Sequence, residues 1–406
     1  MNPHYVQWLN LIVRWLHIIT GIAWIGASFY FNWLEGNLNR KNPGKKKGQE
    51  GDLWAIHGGG FYHVVKYKVA PDELPPGLHW FKWEAYLTWI TGFTLLSIVY
   101  YLGADAYLID PSVAKLTAAQ AIGIGIGTLV LSWTVYDLIC RSPAGGNPKV
   151  FTTIMFTLVG ALAWGLCQVF SSRGAYIHVG AALGTIMAAN VFMVIIPNQK
   201  KAVAAMLDGK TPDPALGQKA LQRSLHNNYF TLPVLFIMIS NHYPITFGHK
   251  YNWLILIALS VISAGVRHYF NLKNRGDKKV WILPVASLAM IALAVVSKPP
   301  APNQADLSAA ASAPKVSFHQ IEEIFKARCA SCHSSNPTDK DFTIAPNGVV
   351  FDTAEQIKNK ADIIKTRVVT AKTMPLINRT EMTDEERLSV GLWIDQGANT
   401  NGLQTE

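Results

Sequence analysis

Eight apolar stretches set the terms on which this chain can fold. They lie at about 7–34, 83–103, 118–140, 150–170, 175–197, 228–247, 251–270 and 279–297. Each approaches the ~20 residues that a helix needs to cross a bilayer. Half of all residues are hydrophobic and only 15% are charged, so residues 1–298 read as an integral membrane bundle. No cleavable signal peptide is expected, because the first stretch is long and lacks a basic leader and a small-residue cleavage site.

Basic residues predict the orientation. The loops after spans 1, 3, 5 and 7 hold nineteen Lys and Arg, whereas those after spans 2, 4 and 6 hold only Lys115, Arg173 and Lys250. The positive-inside rule then puts both termini outside the cytoplasm, and an even number of spans requires them to share a side. Residues 1–298 carry net +13 and residues 299–406 net −3, which together make the chain's +10. The positive charge is thus a cytoplasmic-loop feature beside anionic lipid, and no nucleic-acid partner is implied. Gly123-x-Gly125-x-Gly127 lies inside an apolar span, so close helix packing explains it better than a nucleotide loop, as it does Gly180-x-x-x-Gly184. Cys140 and Cys167 read as small apolar fillers, with no disulfide implied.

After the last span, Lys298-Pro-Pro-Ala-Pro opens a Pro/Ala/Ser linker over 299–316. Beyond it stands Cys329-Ala-Ser-Cys332-His333. C-x-x-C-H is the attachment signature of a c-type haem: two thiols form thioethers to one porphyrin, and the next residue offers its imidazole to the iron. Half a zinc site or a thioredoxin-like pair would share the spacing. No second Cys pair completes a zinc site, however, and no βαβ pattern surrounds the motif.

Met374, beside Pro375, is the foremost candidate for the sixth iron ligand, since a thioether opposite His raises the potential of an electron carrier. Met382 and His319 are its rivals. Capping boxes at Ser317-x-x-Gln320, Thr353-x-x-Gln356 and Thr383-x-x-Glu386 predict helices near 318–328, 354–368 and 384–396. Ile321, Ile324, Phe325, Leu388, Leu392 and Trp393 supply apolar faces. From about residue 315 to 402 the chain resembles a single-haem bacterial cytochrome c. The expected fold is therefore all-α: an eight-span transmembrane helix bundle over 1–298, the linker, and a small helical cytochrome c domain over 317–406 on the periplasmic side of a bacterial inner membrane.

An anchor for a cytochrome needs one span, so eight imply a further task. Polar groups inside bilayer segments are costly and point to function. Arg14 and His17 share a stripe of span 1 with Gly21, Trp24 and Ser28. With His178, Asn241 and His242 they form a potential outer cluster. An inner cluster could draw on Glu84, Asp137, His226, Asn227, Asn228, Arg267 and His268, and the first long loop adds His57, His63 and His79. Two neutral imidazoles on facing helices could hold a b-type haem. Alternatively, Arg, His and Asn could bind a planar anion and move its protons. Any one such histidine could instead simply bond a neighbouring backbone carbonyl or Ser. The expected catalytic residues are Arg14, His17 and His178.

The run Trp15-Leu-His17-Ile-Ile-Thr-Gly-Ile-Ala-Trp24-Ile-Gly-Ala-Ser28, the loop His57-Gly-Gly-Gly60 with Tyr62, and Trp80-Phe-Lys-Trp83-Glu84 resemble one bacterial family. It is the membrane-bound, cytochrome c-linked urate oxidase (urate hydroxylase) family, in which an eight-span domain is joined to a C-terminal cytochrome c. The resemblance implies oxidation of urate to 5-hydroxyisourate in purine breakdown. Electrons would pass to the fused haem c and then to a respiratory-chain acceptor such as a terminal oxidase. Urate is a planar monoanion that Arg14 or Arg267 suits, with His as proton acceptor and Trp24 stacking on it. The competing expectation is an electron-transfer subunit without its own substrate site, relaying electrons from a partner dehydrogenase or quinol.

Overall fold

The computed structural model describes residues 3–41, 48–298, 314–340, 342 and 344–400. The linker expected at 299–316 lies mostly outside the described residues. The first part is a helical bundle of α1 (Pro3–Asn37), α2 (Trp83–Leu96), α3 (Ala118–Arg141), α4 (Pro148–Cys167), α5 (Ser172–Ala189), α6 (Ile196–Leu207), α7 (Pro214–Ser240), a one-turn α8 (Pro244–Phe247), α9 (Asn252–Asn274) and α10 (Ile282–Val296). Local chemistry starts several of these helices. Thr117 accepts from the Gln120 amide, Asn147 from those of Lys149 and Val150, Ser171 from Gly174, and Asp213 from Ala215. Pro148 and Pro214 occupy first-turn positions, where a missing N–H costs nothing.

Among the described residues, five helices are long and apolar enough to cross a membrane: His4–Asn37, Ala118–Arg141, Pro148–Cys167, Ser172–Leu207 and Asn252–Asn274. In the fourth, a π-helical turn at Asn190–Ile195 joins α5 to α6. The other three expected spans correspond to helices with distinct features. α2 has 14 residues before it widens into a π-helical turn at Ser97–Tyr101, and α10 has 15. α7 begins at Pro214 rather than near 228, and its first half carries Gln218, Lys219, Gln222, Arg223 and His226. Trp8, Leu11, Ile12, Trp15, Ile19 and Ile22 form an exposed apolar face on α1. Such a face is compatible with insertion in a bilayer.

The chain is mostly helical but not all-α. Gln49–His57 (β1) and Gly60–Tyr67 (β2) form an antiparallel hairpin pairing Trp54 with His63, Ala55 with Tyr62 and Ile56 with Phe61. Gly58 and Gly59 make its two-residue turn at φ +57 and +80, which side chains resist and glycine does not. The His-Gly-Gly-Gly run was the signal for it. Gly36 lets α1 approach α9 closely, since a Cβ there would lie 2.6 Å from the Asn274 carbonyl oxygen. Gly180 does the same for α5 and α7, where a Cβ would meet Ile237 at 2.5 Å.

A buried polar network ties the bundle together. Arg223 donates to Asp137 at 2.7 Å and to Asn190 at 3.2 Å. Asn190 donates to the Tyr136 hydroxyl at 2.9 Å and to the Asn227 side-chain oxygen at 2.8 Å. Arg141 closes on Asp137 from the surface at 2.6 Å. Helices α3, α5 and α7 are thereby held in one register.

The C-terminal unit comprises α11 (Phe318–Arg328), α12 (Ala354–Lys358), α13 (Ala361–Ile364) and α14 (Asp384–Asp395). All three expected capping boxes form. The helix expected over 354–368 is interrupted at Asn359–Lys360, and a π-helical turn at Lys365–Thr370 follows α13. Ile321, Phe325, Ile357, Val390 and Trp393 build the core of this unit. Its 371–378 loop rests on the bundle: Ala371 and Thr373 pack by Gly248, and Leu376–Asn378 packs on the turn at Ala104–Leu108.

Asp137→Leu leaves Arg223, only 4% exposed, without its counter-ion. We expect a loss of about 3 kcal/mol, read as a lower melting temperature in detergent. Arg141→Ala, whose side chain is 70% exposed, should cost under ~0.5 kcal/mol.

Candidate functional site

In the C-terminal unit, α11 ends at Arg328 and the chain turns. The amides of Cys332 and His333 both donate to the Cys329 carbonyl, at 3.2 and 2.9 Å, which gathers the two thiols and the imidazole. His333 Nδ1 lies 2.9 Å from the Val349 carbonyl. A carbonyl only accepts, so Nδ1 carries the proton and Nε2 keeps its lone pair. Burial also lowers the His333 pKa and favours the neutral ring. Burial pushes the Cys329 thiol up to about 12, with Cys332 adding to it.

Arg387 is buried and clamps the segment bearing Met374. It donates to the carbonyls of Val368 and Met374, both at 2.6 Å, and to the Asn378 side chain at 2.9 Å. Met374 is half-buried against the core. Its rivals are placed otherwise. Met382 is 3% exposed within the core, and the His319 side chain is 76% exposed beside Glu323. Two thiols, an imidazole with a free nitrogen and a thioether make the donor set of a c-type haem, so the residues fit that group. Among the described residues, no three His, Cys, Asp or Glu converge to hold a bare metal ion.

In the bundle, Arg14, His17 and His178 have separate partners. Arg14 is exposed and donates to Asn10 at 3.0 Å. His17 Nδ1 donates to the Thr88 carbonyl at 3.1 Å across the α1–α2 contact. His178 is fully buried, with Nδ1 on the Gly174 carbonyl at 2.8 Å and Nε2 3.3 Å from the Tyr101 hydroxyl. Asn241 accepts from Tyr100 and Arg173 at one end of the bundle. The inner set divides in two. Asp137, Asn227 and His226 join the Arg223 network, His226 through a 2.9 Å contact with Tyr136. Arg267 instead bonds Asn228 at 2.8 Å and Asn271 at 3.2 Å, and lies 4.1 Å from the centre of the Phe29 ring.

Two cavities open at the bundle end opposite the C-terminal unit. The smaller, about 520 Å³, lies where the end of α1, the start of α7 and the end of α9 meet. Its polar lining includes Asn32, Glu35, Arg40, Gln218, Gln222 and Asn271, with Arg275 at its edge. Glu35 is paired with Arg40 at 2.7 Å and with Lys66 at 2.7 Å. Asn271 is 7% exposed, and its Nδ2 has no hydrogen-bond partner. The larger cavity, about 930 Å³, is mostly apolar and lies between α4, α7 and α9. Gln218, Gln222, Leu225 and Arg275 border both. Sequence reasoning missed Gln218 and Gln222 because it began this helix near 228; Asp213-Pro214 marks its true start.

A family model described as urate oxidase N-terminal matches residues 3–298. No curated protein and no solved structure matches the chain.

Arg387→Met removes a buried cation that makes three hydrogen bonds. We expect a loss of about 3 kcal/mol in the stability of the C-terminal unit, measured by denaturation of the full chain. Lys372→Ala, which breaks an exposed pair with Asp384, should cost under ~1 kcal/mol.

Proposed function

This chain belongs to the urate oxidase N-terminal family, and we propose that it oxidises urate in a membrane-embedded bundle and delivers the electrons to a haem c held by its C-terminal unit. One observation carries the electron route. The loop of the C-x-x-C-H unit that presents Met374 is the part seated on the bundle, at Gly248 and at Ala104–Leu108. There the Arg367 guanidinium is held below its ordinary pKa, first by burial and then by Arg173 of the bundle. Cys329 and Cys332 would hold the porphyrin, and His333 and Met374 would hold its iron. When bound, the haem supplies a one-electron acceptor fixed in place.

The reaction balances as urate plus water giving 5-hydroxyisourate, two protons and two electrons. The polar cavity supports it chemically. Arg275 suits the urate monoanion, and the amides of Gln218, Gln222 and Asn271 suit the alternating carbonyl and N–H groups of its edge. Leu221 and Leu225 offer apolar walls to the ring faces. Glu35 is the one carboxylate lining the cavity and would accept a proton. With the orientation read from the loop charges, this cavity faces the cytoplasm. The C-terminal unit sits in the periplasm of a bacterial inner membrane, where a terminal oxidase can take its electrons. The Arg14, His17 and His178 set is the second candidate locus, since His17 Nδ1 is committed to a carbonyl and Nε2 remains a base.

Anaerobic urate should reduce the haem c of the purified chain. A spectrum that stays oxidised removes the urate reading and leaves an electron-transfer subunit fed by a partner dehydrogenase or quinol. Gln222→Leu and Asn271→Leu should each lower kcat/KM about tenfold, the ~1.4 kcal/mol scale of one hydrogen bond. Collapse of activity in His17→Ala, with those two variants unaffected, would move the site to the second locus.

A further inference from the structure

The amide-lined cavity and the C-terminal unit stand at opposite ends of the bundle. α4 alone has 20 residues, a rise of about 30 Å. Electrons leaving one end for the other need an intermediate stop. The apolar cavity of about 930 Å³ borders the amide-lined one and runs from Gly145 and Pro148 at its mouth up to Gly160, Pro233 and Ile257.

This cavity is lined by His226 of α7 and His268 of α9, one from each of two neighbouring helices. Each imidazole is held through Nδ1 by a tyrosine hydroxyl, Tyr136 at 2.9 Å and Tyr229 at 2.7 Å. Neither Nε2 has a hydrogen-bond partner among the described residues. His226 also stacks on Phe151, with ring centres 4.1 Å apart, which fixes its plane. An imidazole oriented through one nitrogen, with the other free toward a cavity, is the arrangement of a metal ligand with its outer-shell support.

The rim is charged in one sense only. Lys219 and Arg275 border the mouth, and neither makes an ion pair among the described residues. No Asp or Glu lines the cavity. The walls are apolar or small, including Val159, Leu183, Gly160, Ala264 and Gly265. The volume suits a large flat group that is apolar over most of its surface and carries anionic tails at one edge. A lipid would use the walls but would give neither imidazole a role; a quinone carbonyl could accept from an imidazole N–H, but a quinone has no anionic edge for the cationic rim.

We propose that the α4–α7–α9 cavity binds a second, non-covalent haem of the b type, with His226 and His268 as its iron ligands and Lys219, which borders this cavity and not the amide-lined one, meeting its propionate edge. The site differs from the c-type attachment at Cys329 and Cys332, and its presence does not depend on urate being the substrate.

The test uses the full chain purified in detergent. Acidified solvent extracts non-covalent haem and leaves thioether-bound haem on the protein, so the two are counted separately. We expect about one extractable protohaem per chain, with the low-spin spectrum of two axial imidazoles. His226→Ala and His268→Ala should each reduce it at least tenfold while covalent haem is retained, which controls for folding. Gly265→Leu gives a second route: a Cβ there meets nothing within 4 Å, so the side chain can enter the cavity and should exclude the haem with both histidines intact. Absence of extractable haem from the unaltered chain overturns the proposal. So does wild-type retention in either histidine variant. Extractable haem in a chain that ignores urate would sink the substrate reading alone.

Discussion

The bundle depends on Arg223 being buried. A guanidinium at 4% exposure is tolerable only if its charge and its N–H groups are met. Asp137 and Asn190 meet it, and Asn190 passes the constraint on to Tyr136 and Asn227. Three helices from distant parts of the chain are thus fixed around one cation. The same register sets Gln222, His226 and Tyr229 of α7 against the two cavities. The polar first half of α7 is therefore the part of the bundle that carries the candidate chemistry.

The two ends of the molecule divide the work. At one end α1, α7 and α9 leave a polar cleft, and Gly36 allows the close α1–α9 contact beside it. At the other, the 371–378 loop of the C-terminal unit lies on the bundle. Arg387 determines the shape of that loop from the core side through the carbonyls of Val368 and Met374. Packing within the unit thus presents the same methionine segment that touches the bundle, so electron transfer there would need no swinging of a tethered carrier.

Local rules made much of this legible in the sequence. Ser317, Thr353 and Thr383 each cap the helix their spacing announced, because a capping box needs only residues three apart. The C-x-x-C-H turn was equally local. What failed were features decided by distant contacts. α7 read as starting near 228 because its earlier turns are polar, yet Arg223 among them finds buried partners on α3 and on the π-helical turn that follows α5. The hairpin at 49–67 was passed over because its Gly-Gly turn sat inside a long loop read for its charge and its histidines and not for strand alternation. His226 and His268 were only two members of a loose inner cluster, since only the tertiary fold shows the tyrosines that hold them and the cavity they line.

Charge sorting gives the last step. Arg223 and Arg40 have carboxylates, Asp137 and Glu35. Lys219, Arg267 and Arg275 have no carboxylate among the described residues, although Arg267 is 5% exposed. A buried cation without an anion carries a desolvation cost of several kcal/mol that amide oxygens offset only in part. All three lie at the end of the bundle where the two cavities open, Arg267 bonding Asn271 of the smaller one and Lys219 and Arg275 at the rim of the larger. The larger cavity, bordered by cations and by no acid, suits an anionic ligand. Haem propionates meet that description, whereas the neighbouring cavity proposed for urate adds Glu35 to its cations.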